Sequence, residues 1–82
     1  MDKKDIYRKG DIVTFLSNLP RVHILQMFGT EPFSPDDIEE SLYTGEITDI
    51  HETPIGPFYA LTTLKPLEGF FCFVIEAKIL GR

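Results

Sequence analysis

Pro54-Ile55-Gly56-Pro57 interrupts a stretch of strand-forming chemistry, and no other feature constrains the fold as much. Tyr43 to Thr53 is rich in Tyr, Thr and Ile, and Phe58 to Leu64 resumes in the same chemistry. Two β-prone runs flanking a short Pro/Gly segment specify an antiparallel hairpin, here with a four-residue connection. With 82 residues the chain can build only one core. A chain of that length buries only about 60 to 65% of its unfolded surface and cannot divide it between two domains. An apolar fraction of 43% with seven Phe suffices for one core.

The remaining elements are placed around the hairpin. Residues 1 to 9 are charged and are expected to form a flexible N-terminal segment ahead of a single domain over residues 10 to 82. Gly10-Asp11 gives a turn into Ile12 to Leu16, a β-branched and aromatic run of strand length. Residues 19 to 28 admit a helix, with Ser17-Asn18 as cap and Pro20 in the first turn, or a strand, since apolar side chains fall at both periods. Ser34-Pro35-Asp36-Asp37 has the chemistry of a helix start, which predicts a short helix over 35 to 42 with Ile38 and Leu42 on the core side. Lys65 to Gly69 makes a turn, and Phe70 to Leu80 is a last strand, continuous or bent midway. Its face bearing Phe71, Phe73, Ile75, Ala77 and Ile79 is wholly apolar and is assigned to the core.

Charge is distributed unevenly. Residues 22 to 64 contain no Lys or Arg and carry eight carboxylates, so the net charge of −5 lies almost wholly in the middle of the chain. Such a middle favours a basic partner and disfavours direct contact with a nucleic-acid backbone. Lys3, Lys4, Arg8 and Lys9, interspersed with acids, form a poor phosphate footprint. A second surplus is apolar: Phe28, Phe33, Phe58, Phe70 and Val74 exceed the needs of a small core and could form an exposed patch.

Patterns for catalysis are weak. His51 stands two residues from Asp49 and His23 lies elsewhere, without the compact spacing of a metal site. Cys72, the single cysteine, sits in the apolar run Phe70 to Ile75, where a thiol is desolvated and its thiolate disfavoured. The six glycines are scattered and offer no phosphate cradle. No enzyme activity, cofactor or metal is expected. A lone cysteine, the absence of an apolar signal core near Met1 and the absence of a bilayer-length apolar run give a cytoplasmic location and no membrane partner as expectations. The start at Met1 and the end soon after the last strand give the expectation of a complete small protein.

The order Gly10-Asp11-Ile12-Val13-Thr14-Phe15, Tyr43-Thr44-Gly45-Glu46-Ile47-Thr48-Asp49-Ile50, Tyr59-Ala60-Leu61 and a closing apolar strand resembles small SH3-like β-barrels, shared by KOW-type modules and many short bacterial and phage proteins. The resemblance implies a mostly β (α+β) scaffold, a partly open barrel with one short helix in an insertion over residues 16 to 42, and no particular activity. The leading functional expectation is a non-enzymatic acidic module that binds a basic protein surface. One form is a phage or mobile-element inhibitor imitating nucleic-acid charge. Glu39, Glu40, Glu46, Asp49 and Glu52 would supply the charge, with Phe33 and Tyr43 as anchors. A second expectation is a small-ligand barrel with a pocket under the insertion and Tyr43, His51 and Tyr59 as polar contacts. A third is a structural homo-oligomer, a dimer pairing through Phe70, Cys72 and Val74.

Overall fold

The computed structural model describes residues 7–82. Its elements run in chain order as β1 (Ile12–Ser17), α1 (Leu19–Phe28), a 3-10 turn (Pro35–Asp37), β2 (Ser41–Thr53), β3 (Gly56–Lys65), β4 (Phe71–Ile75), a second 3-10 turn (Glu76–Lys78) and β5 (Ile79–Gly81). The strands form one antiparallel sheet in the order β4-β3-β2-β1-β5 that does not close, as in a partly open small barrel of the mostly β, α+β class. The hairpin is the centre of this sheet, with a connection of only Pro54 and Ile55.

Strand β2 serves two partners. Its first half pairs with β1 from Ser17 opposite Ser41 to Ile12 opposite Glu46, and its second half runs with β3 to the hairpin tip. Register shifts at Thr44/Gly45 and Ile47/Asp49 bend the strand between the two tasks. The Gly-Asp opening is fastened at the second bend. Gly10, at φ 89°, donates its N–H to the Ile47 carbonyl at 2.7 Å, and the Ile47 N–H donates to the Asp11 carbonyl at 2.9 Å.

The concave side of the sheet holds the core. Val13, Phe15, Tyr43, Ile47, Tyr59, Leu61, Cys72, Val74 and Ile79 pack together there. Helix α1 contributes Pro20 and Val22. Residues 19 to 28 become helix because both sides of β1 are already occupied, by β2 and β5, which leaves a further strand no adjacent ladder. Ser17 Oγ accepts the Leu19 N–H at 3.0 Å, while the Asn18 side chain donates forward to the carbonyls of Pro35 and Ile38, both at 3.0 Å, and pins the acidic loop.

The helix expected over 35 to 42 is replaced by the three-residue turn Pro35–Asp37. Ile38 is already extended, and Ser41 and Leu42 are drawn into the ladder opposite Ser17 and Leu16. An eight-residue helix is marginal alone and cannot compete with paired strands. Leu42 consequently faces solvent.

The final strand is bent midway, one of the two forms expected, and over residues 71 to 75 its core side is the reverse of the one expected. Phe71, Phe73 and Ile75 are exposed, whereas Cys72 and Val74 are buried. Pairing decides this: Cys72 lies opposite Leu61 and Val74 opposite Tyr59, both core residues. The turn Glu76–Lys78 then resets the alternation, so that Ile79 returns to the core beside Phe15.

The expectation of flexibility for residues 1 to 6 lies outside the described residues. Tyr7 sets its ring edge-on to Tyr59 at 5.8 Å and beneath the Arg82 guanidinium at 5.3 Å. Asp11 joins the two ends of the domain, accepting the Arg8 N–H at 2.9 Å and the Arg82 Nε–H at 3.1 Å on one oxygen. Those bonds, the Arg8 amide first, hold the Asp11 carboxyl below its ordinary range. A carboxylate with a lowered folded-state pKa stabilises the fold above the ordinary carboxylate range, and loses that contribution as pH falls through its folded value. Asp11→Asn is therefore expected to be less stable than wild type near neutrality and to converge with it on acidification, as read by thermal melts from pH 7 down to pH 3.

Candidate functional site

Residues directly opposite in an antiparallel sheet point to the same side. Three rows therefore form the convex face: Phe71, Thr62 and Glu46; Phe73, Ala60 and Asp49; and Ile75, Phe58 and His51. The Phe71 and Phe73 rings meet edge to face at 4.9 Å, and the His51 ring lies 6.0 Å from Phe73. Phe71 and Phe73 keep about half of their surface in water, at 51% and 49%. Beneath them Ala60 is only 1% exposed, so the aromatic rings roof the sheet. His51, Thr53, Phe58 and Phe73 line an open groove of ≈ 370 Å³ at the hairpin end of this face.

The polar border is built by β2. Asp49 accepts the Ile50 N–H at 2.9 Å, with Lys9 Nζ at 3.6 Å and His51 Nε2 at 3.4 Å. The Ile50 amide, with smaller effects from His51 and Lys9, keeps the Asp49 carboxyl below its ordinary range, so it is charged at neutral pH. Glu46 stands exposed opposite Thr62.

The expected binding residues do not converge. Tyr43 is 3% exposed, because the alternation Tyr43-Gly45-Ile47 turns inward and packs its ring 6.1 Å from Phe15. Burial pushes its phenol pKa up, so it is a core residue and no anchor. Phe33 is half-buried beside α1, in a groove of ≈ 360 Å³ with Leu25, Gln26 and Pro35. Glu39 is exposed, and Glu40 is held by Lys78 at 2.8 Å. Glu52 lies opposite Pro57 near the hairpin tip, out of step with His51 and Phe58. At about 3.3 Å per strand residue, the series from Glu40 to Glu52 stretches over roughly 35–40 Å, so it is a line and not a patch.

The other expected surfaces also change. Cys72 and Val74 are 1% and 5% exposed and Phe70 is half-buried against His23, so the three side chains expected to pair two copies are not presented together on the surface. Burial pushes the Cys72 thiol pKa up, consistent with inert packing. Tyr43 and Tyr59 are buried in the core, and the groove beside the insertion touches neither of them nor His51. Of the apolar surplus, Phe58 lies on the convex face and Val74 does not.

Among the described residues, no three His, Cys, Asp or Glu side chains gather as metal ligands, and no helix is long and apolar enough to cross a membrane. No family model, curated protein or solved structure matches the chain.

Proposed function

We propose that the chain is a small non-enzymatic docking protein that holds a basic and apolar surface of another protein against the convex face of β2, β3 and β4. The observation that supports it best is the outward row Phe71, Phe73 and Ile75, kept half in water on a strand with no charged residue. Exposed aromatics in contact with one another, beside a groove and bordered by carboxylates, are the composition of a docking core with a polar rim. Glu46 and Asp49 supply the border, and the ≈ 370 Å³ groove takes one large side chain from the partner. The stretched series of carboxylates, two of them already engaged by Lys9 and Lys78, favours aromatic anchoring over imitation of nucleic-acid charge.

Phe71→Ser/Phe73→Ser removes the anchors while leaving the core side of β4 intact. A basic protein captured by the wild type from cell extract should be lost by the double variant and weakened by salt, because the border is screened. Capture that survives the double variant but is abolished by Glu39→Gln/Glu40→Gln would move the site to the acidic loop and overturn this assignment.

A further inference from the structure

Strand β4 is an edge. Among the described residues it pairs with β3 alone. In an antiparallel ladder, bonded and non-bonded residue pairs alternate. The Thr63 N–H donates to the Phe70 carbonyl at 2.8 Å, which makes Leu61 opposite Cys72 and Tyr59 opposite Val74 the bonded pairs that follow. The N–H and carbonyl groups of Phe71 and Phe73 and the N–H of Ile75 therefore point away from β3, while the Ile75 carbonyl opens the turn Glu76–Lys78. The same three residues carry the exposed side chains.

Natural sheets protect long edges with Lys, Pro, bulges or brevity. The opposite edge, β5, has three residues and ends on Gly81 at φ 147°. Strand β4 has none of these guards: its sequence is Phe-Cys-Phe-Val-Ile, and its ladder with β3 has no register shift. Charge appears only beyond its ends, as Glu68 before it and as Glu76 and the Lys78 held by Glu40 after it, and on the face beside it, as Glu46 and Asp49.

We infer that β4 accepts an extended segment of a partner protein as a sixth strand, and that this segment alternates apolar residues and carries Lys or Arg near its ends. The inference rests on the docking reading above and specifies its mode. Main-chain bonds to Phe71, Phe73 and Ile75 supply affinity, and the aromatic row selects the alternating side chains. Glu68 and Glu76 select for basic residues, and the net charge disfavours a second copy. An antiparallel β4 pair centred on Phe73 would set Glu68 of one copy opposite Lys78 of the other, but Lys78 is already held by Glu40, and the pair would join two chains of net charge −5.

The probe is a short capped peptide with lysine at both ends and valine alternating with threonine between them. Amide exchange and chemical shifts of the full chain report on each strand. Binding should protect the N–H groups of Phe71, Phe73 and Ile75, which are expected to exchange fast in the free protein, and leave Cys72 and Val74 protected throughout. Methylating the peptide nitrogens that face β4 should weaken binding by about tenfold or more, since each lost main-chain bond counts for close to that factor. Replacing the terminal lysines with glutamates should weaken it by a comparable factor at low salt. Equal affinity for the methylated peptide, or protection of the three amides in a dimeric free protein, would overturn strand addition. If Phe71→Ser/Phe73→Ser still abolishes partner capture in that case, the docking face stands and only its mode is lost. If capture is unaffected by that double variant, the docking reading itself falls, whatever the peptide does.

Discussion

Val74→Lys is expected to unfold the domain, and Phe73→Lys, one residue away, to leave it folded. Val74 is 5% exposed, packed on the core side of β4, and lies opposite Tyr59. A lysine there must either bury its ammonium or give up its proton. Neutralising a lysine at pH 7 costs about 4–5 kcal/mol, from a pKa near 10.4 and 1.36 kcal/mol per unit. Lost packing adds to that, and a domain of this size is stable by only ~4–12 kcal/mol in all. At Phe73 the side chain points into solvent, in the row of Asp49, and a lysine on an edge strand is a common natural guard. The loss there should stay near 1 kcal/mol, mostly apolar cover taken from Phe71 and Ala60. Circular dichroism and thermal melts separate the two; the reverse ranking would mean that β4 pairs with β3 one residue out of register.

That contrast marks where the chain was hard to read. Both alternating sets of β4 are apolar, so hydrophobicity carries no information about which one faces inward. The choice is made by register, through the turn in which the Thr63 N–H donates to the Phe70 carbonyl and Thr63 Oγ1 accepts the Phe70 N–H, and the polarity of β4 does not encode it. Treating residues 70 to 80 as one alternation added a second error, because the turn at Glu76–Lys78 shifts the count before Ile79. The hairpin was legible for the opposite reason. Strand chemistry on each side of Pro54 to Pro57 and the intervening turn residues agree with one another and need no distant partner. The expectation of Tyr43 as an anchor overlooked a signal that was present: Tyr43-Gly45-Ile47 alternates with Thr44-Glu46-Thr48, an apolar set against a polar one, which assigns Tyr43 inward.

The candidate site was legible in kind and not in place. An apolar surplus and an acidic middle both appear in the structure: of the residues expected in the apolar part Phe28 is exposed on α1 and Phe58 lies on the convex face, yet that face is built mainly on Phe71, Phe73 and Ile75. Three of the eight carboxylates, Glu46, Asp49 and Glu52, are strung along the thirteen residues of β2, and the other five lie ahead of it in the loop that follows α1. Cations from outside the stretch return to it in space: Lys9 to Asp49 and Lys78 to Glu40. Sequence distance hides those partners, since Lys78 is 38 residues from Glu40.

Gly45→Val should be strongly destabilising even though valine is a better strand former than glycine. On an open strand the change would gain up to about 1 kcal/mol from intrinsic preference. Gly45 is not open. It lies on β2 at the first register shift, between Val13 of β1 and Thr63 of β3, where the strand changes from one partner to the other. A Cβ on it would stand 2.8 Å from the Thr62 carbonyl oxygen and 3.0 Å from Cε1 of Phe15. The carbonyl belongs to a paired strand and cannot move without breaking ladder bonds, and the Phe15 ring is fully buried against Tyr43. Overpacking of this kind costs ~1–3 kcal/mol for a methyl group and more for a branched side chain. Gly45→Ala is therefore expected to lower stability by about 2 kcal/mol, and Gly45→Val by at least ~3 kcal/mol, in denaturant melts. Combining Gly45→Ala with Phe15→Leu distinguishes the two obstacles. A double variant less damaged than the sum of its parts assigns the conflict to the ring. Simple additivity assigns it to the Thr62 carbonyl, and with it to the bend that lets one strand serve both halves of the sheet.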